Sequence, residues 1–373
     1  MRGAHRHSTR LVGGSLALVS LLALSACAAD TLAISAPTSV PPVVETLAPA
    51  PVPVTEEEEA TTTEAPTTSS TTTTLPPTTT TAPPPFIAVP PVLDDVARAV
   101  GAARLPAGVA AYRAAGDGPV LYEDGCHVAW QTTAPKQGCF FGDTASSTLI
   151  AVTGDSHAAA WFGALDEAGK ANGWKIVMVT KQGCPAANVT VYSAQDPKVT
   201  NRVYDACDQW RPNALAYIDS LHPALVVFPM LSRRTVVGRP GPAGLKAWHD
   251  GLGASIDNVR FAGAKALVLG DVPKMNGQKM PECLSAHSAN IGACGVARAA
   301  GVKQERLMTI ASAANEHGAS FVDVSNWFCT ESTCPPVIDG IVVYRDEHHL
   351  TDTFSRHRAP QIADAIKAAL ATS

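Results

Sequence analysis

Short apolar runs alternate with longer helix-like segments in most of the chain, and this alternation constrains the fold most strongly. Beyond Pro91, five apolar runs predict strands at 148–153, 175–180, 224–229, 265–270 and 320–324. Helix candidates lie between and after them, at 157–172, 199–221, 243–262, 297–317 and 353–371. Because strand and helix alternate without interruption, we expect one three-layer α/β/α domain with a mostly parallel five-stranded sheet.

The first 27 residues have the features of an export signal. Arginines precede an apolar run at 11–26 that is too short to span a bilayer comfortably. The run ends in Leu24-Ser25-Ala26-Cys27, which has the form of a lipobox, where a signal peptidase cuts before a cysteine that carries diacylglycerol. An ordinary cleavable signal with an incidental cysteine is the alternative. We expect residues 1–27 to direct export and Cys27 to be the lipid anchor.

Residues 28–91 are dominated by Thr, Pro and Ser. Such a segment buries too little apolar area to offset its ordering entropy, so we expect a disordered, extended tether. Its hydroxyl groups also suit an O-glycosylated stalk, and a passive spacer is the alternative. We expect residues 92–147 to form an N-terminal extension that packs on the sheet, and residues 148–373 to form the catalytic domain.

Charge and cysteine content narrow the class of protein. The net charge is −5 and no Lys/Arg-rich run occurs, which argues against nucleic-acid binding. Setting Cys27 aside leaves eight of the nine cysteines, an even number that favours disulfides in an exported chain. The sequence contains no CxxC motif, so it gives little support for a zinc site. Spacing favours four neighbouring pairs: Cys126 with Cys139, Cys184 with Cys207, Cys283 with Cys294, and Cys329 with Cys334.

A candidate nucleophile follows the first predicted strand of the catalytic domain. The apolar run stops at Gly154-Asp155-Ser156-His157, just before a predicted helix. Ser156 is therefore expected at the carboxyl end of the sheet and at a helix N-terminus, where free N–H groups favour negative charge. A serine here could attack an acyl group beside its own oxyanion donor. The alternative is that Ser156 only caps the helix.

A candidate base lies in the loop before the last predicted helix, in Asp346-Glu347-His348-His349-Leu350-Thr351. A serine hydroxyl needs a base to take its proton, and that base needs a carboxylate that fixes its tautomer. Asp346 and a histidine of this loop could supply both groups. Either histidine could instead be an exposed polar residue. The two adjacent histidines leave the choice between His348 and His349 open at this point.

These two blocks together resemble the SGNH hydrolase superfamily. More narrowly, they resemble the SGNH domain commonly fused behind integral-membrane acyltransferases that O-acetylate peptidoglycan or surface polysaccharides. Lys181-Gln182-Gly183-Cys184-Pro185, Gly270-Asp271-Val272-Pro273 and the late cysteine pair also resemble recurrent features of that domain. The resemblance implies a flavodoxin-like fold, with Ser156 as nucleophile, His349 as general base and acid, Asp346 as its orienting partner, and no metal or other cofactor.

The resemblance also implies an oxyanion hole with three donors. The first is the backbone N–H of Ser156, and the second is a glycine after the second strand, for which Gly183 is suitable. The third is usually an asparagine after the third strand, but this chain has no asparagine in 228–234. We expect Ser232, Arg233 or water to take its place, or the reaction to be slow. The adjacent Arg233 and Arg234 could instead bind an anionic substrate group or be a solvated pair.

The resemblance and the export signal imply an envelope serine enzyme that acts on the O-acetyl or other acyl group of a glycan through an acyl-serine intermediate. Hydrolysis and transfer remain open. The expected partners are an acylated envelope polysaccharide or glycolipid and, for transfer, a separate membrane acyltransferase. The expected location is extracytoplasmic, at the cell membrane, through a lipidated cysteine.

Two other classes compete with this hypothesis. Gly-Asp-x-His also opens the calcineurin-like metallophosphatases, but their further metal-binding blocks are missing from the sequence. A non-catalytic carbohydrate-binding or scaffolding module with the same fold would explain the missing asparagine. It would not explain why a serine, a histidine and an aspartate are retained together.

Overall fold

The computed structural model describes residues 90–195, 198 and 201–372. The predicted export signal at 1–27, its lipid anchor Cys27, and residues 28–89 of the predicted tether lie outside the described residues.

In the described part of the chain, seven strands form one mixed sheet, and five of them are those that the sequence predicts. In chain order the strands are β1 His127–Val128, β2 Phe140–Gly142, β3 Leu149–Gly154, β4 Lys175–Lys181, β5 Leu225–Phe228, β6 Lys265–Leu269, β7 Val296–Ala297, β8 Ser320–Val322, β9 Thr333–Cys334, β10 Val337–Ile338 and β11 Ile341–Val342. The central sheet has the order β1-β4-β3-β5-β6-β8, and all these pairs are parallel, whereas β2 pairs with β4 antiparallel. The α/β fold class is confirmed, and two short edge strands extend the expected five.

The central strands are aliphatic because helices cover both faces of the sheet. All four residues of β5 are buried, as are all but the first residue of β3, β4 and β6. Small antiparallel pairs, β7 with β9 and β10 with β11, lie apart from this sheet. The hydrophobic core therefore lies along the parallel strands, and the polar residues that follow them collect at their carboxyl ends.

The described residues form ten α-helices. They are α1 Asp94–Ala99, α2 Ser156–Ala160, α3 Phe162–Asn172, α4 Asp205–Ser220, α5 Gly241–Phe261, α6 Met280–Ala286, α7 Arg298–Gly301, α8 Gln304–Glu316, α9 Asp352–His357 and α10 Ala359–Ala371. Helix α3 packs against α9 and α10, and α5 packs against α4 and α8, which gives the helical layers. Within the described part of the chain, no helix is long and apolar enough to cross a bilayer.

Three helices that the sequence predicts as continuous are divided in the structure. The first is divided at Trp161 and the last at Arg358, and the fourth is divided at Val302–Lys303 into α7 and α8. Pro360 lies in the first turn of α10, where its missing N–H is no cost. Helices α1 and α6 are not among the helices that the sequence predicts.

Residues 92–147 contribute ordered structure to the outer edge of β4. β1 pairs with the end of β4, and β2 pairs with its beginning. The buried Lys181, the last residue of β4, donates hydrogen bonds from Nζ to the carbonyls of Ala129, Trp130 and Thr132 at 2.7–2.8 Å. These bonds fix the loop after β1 over the carboxyl end of the sheet.

Four disulfides join the cysteine neighbours that the spacing favours. They are Cys126–Cys139, Cys184–Cys207, Cys283–Cys294 and Cys329–Cys334. The first joins β1 to β2 at the sheet edge, and the second ties the loop after β4 to α4. Both therefore constrain segments that lead into the carboxyl end of the sheet.

Candidate active site

Ser156 is the first residue of α2 and lies two residues beyond the end of β3. The turn between them requires Gly154, because a Cβ at that position would lie 2.3 Å from the carbonyl oxygen of Pro229. Asp155 caps the helix by accepting a hydrogen bond from the N–H of His157 at 2.9 Å. The hydroxyl of Ser156 is therefore not the cap.

Asp155 also connects this turn to the loop after β5. Its fully buried carboxylate accepts the N–H of Leu231 at 3.0–3.1 Å, in addition to that of His157. Burial raises the pKa of Asp155, although the positive charge of a protonated His157 and these hydrogen bonds oppose the increase. Asp155 thus braces the serine turn against the loop after β5.

Ser156, His349 and Asp346 lie in one hydrogen-bonded line. His349 Nε2 is 2.7 Å from Ser156 Oγ, and His349 Nδ1 is 2.6 Å from Asp346 Oδ2. The loop between β11 and α9 carries both Asp346 and His349. The backbone N–H groups of His348 and His349 donate hydrogen bonds to Asp346 Oδ1 at 2.8–2.9 Å, and these bonds close the loop. The structure therefore brings the three predicted residues together in the geometry of a serine triad.

The environment favours the protonation states that such a triad needs. Burial acts to raise the pKa of Asp346, but the hydrogen bond and charge of His349 and the two N–H donors outweigh it, so the pKa lies below its usual range. Burial lowers the pKa of His349, while its bond to Asp346 opposes the decrease. At neutral pH the imidazole is therefore uncharged and can accept the proton of Ser156.

A second hydrogen-bonded line runs beside the triad. His348 Nδ1 lies 2.9 Å from His157 Nε2, and His157 Nδ1 lies 2.8 Å from Asp271 Oδ1. His348 therefore bonds to His157, whereas its neighbour His349 bonds to Ser156. Sequence reasoning did not find this line, although Asp271 stands directly after the fourth predicted strand, where polar residues are expected.

Two backbone N–H groups near Ser156 Oγ are available to an oxyanion. Neither the N–H of Ser156 nor that of Gly183 has an acceptor among the described residues. Gly183 has a φ of 60°, and a Cβ there would lie 2.2 Å from the ring of Trp130. Only glycine suits this backbone conformation and this close approach. The structure therefore retains two of the three donors that the family resemblance implies.

The third expected donor, Ser232, points elsewhere. Its N–H and its hydroxyl both donate to Asp271 Oδ2, at 3.1 and 3.3 Å, and the residue is buried. Arg233 donates to the carbonyl of Gly301, and its Nε lies 3.7 Å from the same carboxylate oxygen. Ser232 is thus committed to Asp271, which corrects the expectation that it replaces the missing asparagine.

A cavity of about 790 Å³ opens beside the triad. Ser156, Asp346, His349 and Gly183 form part of its wall. The rest of the wall includes aromatic and cationic side chains that sequence reasoning did not assign to the site: Tyr122, Trp130, Tyr192, Lys274 and Arg345. Tyr122 and Trp130 come from the N-terminal extension, and no local motif marks them. Ser156 therefore lies at a cavity that could hold a small molecule.

The described residues offer one histidine cluster that could be considered for a metal ion. The ring nitrogens of His157, His348 and His349 lie within 4.8 Å of one another. Both nitrogens of His157 and both of His349 are already engaged in hydrogen bonds. A metal here would displace the bond between the serine and its base. A second group, Cys283, His287 and Cys294, offers no thiolate because its two cysteines form a disulfide.

Comparisons with known proteins identify a family and a similar fold. The model of the SGNH domain fused to AT3 domains matches residues 125–364. The periplasmic domain of a lipopolysaccharide acetyltransferase from Salmonella ser. Paratyphi A has a similar fold, with a TM-score of 0.52 and 19% identity over 70% of this chain and 98% of that one. A putative SGNH hydrolase from Slackia heliotrinireducens matches with a TM-score of 0.35 and 18% identity over 59% of this chain and 100% of that one. No curated protein sequence matches significantly. The family match covers more than half of the chain, which therefore belongs to the family of SGNH domains fused to AT3 domains.

Proposed function

We propose that this protein is a serine ester hydrolase or O-acyltransferase that acts on the acyl groups of an envelope glycan. Family membership supports an enzyme of the hydrolase or acyltransferase type in general. The observation that carries the finer proposal is the continuous hydrogen-bonded line from Ser156 Oγ through His349 to Asp346, beside a cavity. A binding module has no need for this line.

In the first half-reaction, Ser156 Oγ attacks the carbonyl carbon of the ester while His349 Nε2 takes its proton. Asp346 keeps the other proton on Nδ1 and stabilises the imidazolium. The oxyanion forms between the N–H groups of Ser156 and Gly183. Collapse of the tetrahedral species breaks the ester bond, His349 protonates the leaving alkoxide, and the acyl group remains on the serine.

In the second half-reaction, an incoming hydroxyl releases the acyl group. His349 Nε2 takes the proton of that hydroxyl, whose oxygen attacks the acyl-serine, and then returns the proton to Ser156 Oγ. Water as the nucleophile gives hydrolysis, and a sugar hydroxyl gives transfer. Both reactions use the same residues, and the exposure of the nucleophile to the cavity permits either.

We place the enzyme outside the cytoplasmic membrane, with an O-acetyl or similar acyl group of an envelope glycan as its substrate. Four disulfides support an oxidising compartment. The predicted export signal and Cys27 support a lipid-anchored location. The similar Salmonella domain is described as a lipopolysaccharide acetyltransferase, which supports an acylated glycan as substrate and, for transfer, a membrane acyltransferase as partner.

Hydrolysis of p-nitrophenyl acetate by the protein tests the serine mechanism. Ser156→Ala and His349→Ala should each abolish activity above background, and His348→Ala is the matched control because its ring does not contact Ser156. Trapping the acyl-enzyme by rapid quench and measuring intact mass should show one added acetyl group in the wild type only. Full activity in Ser156→Ala, or loss in His348→Ala without loss in His349→Ala, would refute the proposed roles.

A further inference from the structure

We infer that the catalytic cavity binds an anionic glycan, one that carries carboxylate or phosphate groups beside the acylated hydroxyl. The inference rests on the proposed function and names its substrate class. Four cationic side chains line the cavity: Arg233, Arg234, Lys274 and Arg345. One carboxylate lines it, that of Asp346, and this group is already bound to His349.

Lys274 and Arg345 have no carboxylate within ion-pair distance in the part of the chain that the structure describes. The guanidinium of Arg345 is held by Tyr122, whose hydroxyl accepts from it at 3.1 Å and whose ring lies 5.0 Å from its centre. Its Nε is buried without a partner. A buried donor without an acceptor is costly, so the bond to Tyr122 leaves this guanidinium incompletely satisfied.

The two arginines after β5 are fixed rather than freely solvated. Arg233 donates to the carbonyl of Gly301, and Arg234 donates to the carbonyl of Tyr192. The side chain of Arg233 is only 14% exposed, and its nearest carboxylate oxygen, on Asp271, lies at 3.7 Å. Asp271 therefore compensates part of the charge of Arg233, whereas Arg234 has no carboxylate within ion-pair distance among the described residues. A fixed, oriented cation attracts an anion more strongly than a mobile surface lysine does.

His127 adds a neutral hydrogen-bonding group to the same wall. Its Nδ1 lies 3.0 Å from the hydroxyl of Thr180, and its buried Nε2 has no partner among the described residues. Burial is the main reason that the pKa of His127 falls to about 3, so the ring adds no charge of its own. His127 and Arg345 therefore both line the cavity, and each keeps one buried nitrogen without a partner among the described residues.

The chemistry of the ester does not explain this charge. An acetyl ester is neutral, and its transient oxyanion is served by the N–H groups of Ser156 and Gly183. The whole chain carries a net charge of −5, so the cationic wall opposes the overall charge. Concentration of one sign of charge in a cleft raises the local concentration of oppositely charged ligands. A neutral glycan could only accept hydrogen bonds from these side chains, whereas a uronic acid or a sugar phosphate would also form ion pairs with them.

Calorimetric titration of the protein with trigalacturonate tests the inference. Its fully methyl-esterified form is the matched neutral control, and a tri(glycerol phosphate) distinguishes phosphate from carboxylate. The Kd of at least one anionic trimer should be about tenfold or more below that of the neutral trimer, and should rise with added NaCl. Equal affinity for charged and neutral trimers, or no binding of either anion, would overturn the inference.

Two lysine variants distinguish anion binding in the cavity from anion binding to the general surface charge. Lys274→Met should raise the Kd of the anionic trimer about fivefold or more. Lys246→Met is the matched control, because Lys246 is exposed on α5 and pairs with Asp250 away from the cavity. An equal effect of both variants would assign anion binding to the surface and contradict the inference. Because binding is measured without turnover, failure of the serine mechanism would appear only in the p-nitrophenyl acetate assay.

Discussion

Replacement of Asp346 by asparagine separates the tautomer of His349 from the shape of its loop. In the wild type, Asp346 Oδ1 accepts two backbone N–H groups, and Oδ2 faces His349 Nδ1 at 2.6 Å. The amide oxygen of asparagine can keep the two backbone bonds, so its NH₂ group must face Nδ1. A donor in that position favours the imidazole with its proton on Nε2. That tautomer cannot accept the proton of Ser156.

The expected loss of catalytic rate follows from this change in the tautomer of His349. Loss of the correct tautomer in a serine triad lowers kcat by about 10⁴-fold, which corresponds to roughly 5.4 kcal/mol of transition-state stabilisation. The loop should stay folded because its backbone bonds remain, so the free energy of unfolding should change little. Asp346→Asn should therefore behave as a folded protein with an intact cavity and a nearly inactive serine.

The assay is kcat/KM for p-nitrophenyl acetate, with urea unfolding as the test of folding. Asp271→Asn is the matched control, since Asp271 makes the same kind of bond to His157 in the line that ends at His348. We expect that variant to retain far more activity than Asp346→Asn. A loss of less than about tenfold in a folded Asp346→Asn protein would refute the assigned role of Asp346, given the size of the tautomer effect. An equal loss in both variants would shift the base to His348.

Three further expectations concern the oxyanion hole, pH and stability. Gly183→Ala should lower kcat for p-nitrophenyl acetate by about 100-fold or more. Gly138→Ala is the control, because Gly138 has a similar positive φ but lies in open space, and it should not lower kcat. Equal losses in the two variants would contradict a specific role for Gly183. Because burial lowers the pKa of His349 below the usual 6.5, the imidazole should become protonated only below that pH. The value of kcat/KM should therefore fall with a midpoint below pH 6.5, and a midpoint at or above pH 6.5 would contradict this expectation. Cys184→Ala/Cys207→Ala should lower the free energy of unfolding in urea by about 3 kcal/mol, and a loss of a few tenths would count against this bridge.

Local sequence patterns predicted the central sheet and the three triad candidates. The aliphatic run of β3 followed by Gly154-Asp155-Ser156 places the serine after a strand, because both the burial and the turn are encoded within a few neighbouring residues. Asp346 and His349 share one loop, so their spacing alone predicts that they can meet. The same holds for the disulfides, which join cysteines that are near in sequence.

Features that depend on distant packing were not predictable in this way. The line from Asp271 through His157 to His348 joins residues from three separate segments. The close approach of Trp130 to Gly183 depends on Lys181, which fixes the loop after β1. The orientation of Ser232 toward a buried carboxylate was invisible for the same reason, since a motif gives the position of a residue but not its partner.

Because β1 pairs with the edge of β4, one segment of the chain carries the triad residues and an earlier segment supplies part of the cavity wall. All three triad residues lie after position 155, yet Tyr122, His127 and Trp130 come from the segment before the first central strand. A protein that begins at residue 148 would keep Ser156, His349 and Asp346 but lose one side of the cavity. Under the proposed function, substitutions at Tyr122, His127 or Trp130 would therefore change which substrate is accepted while the triad residues stay the same.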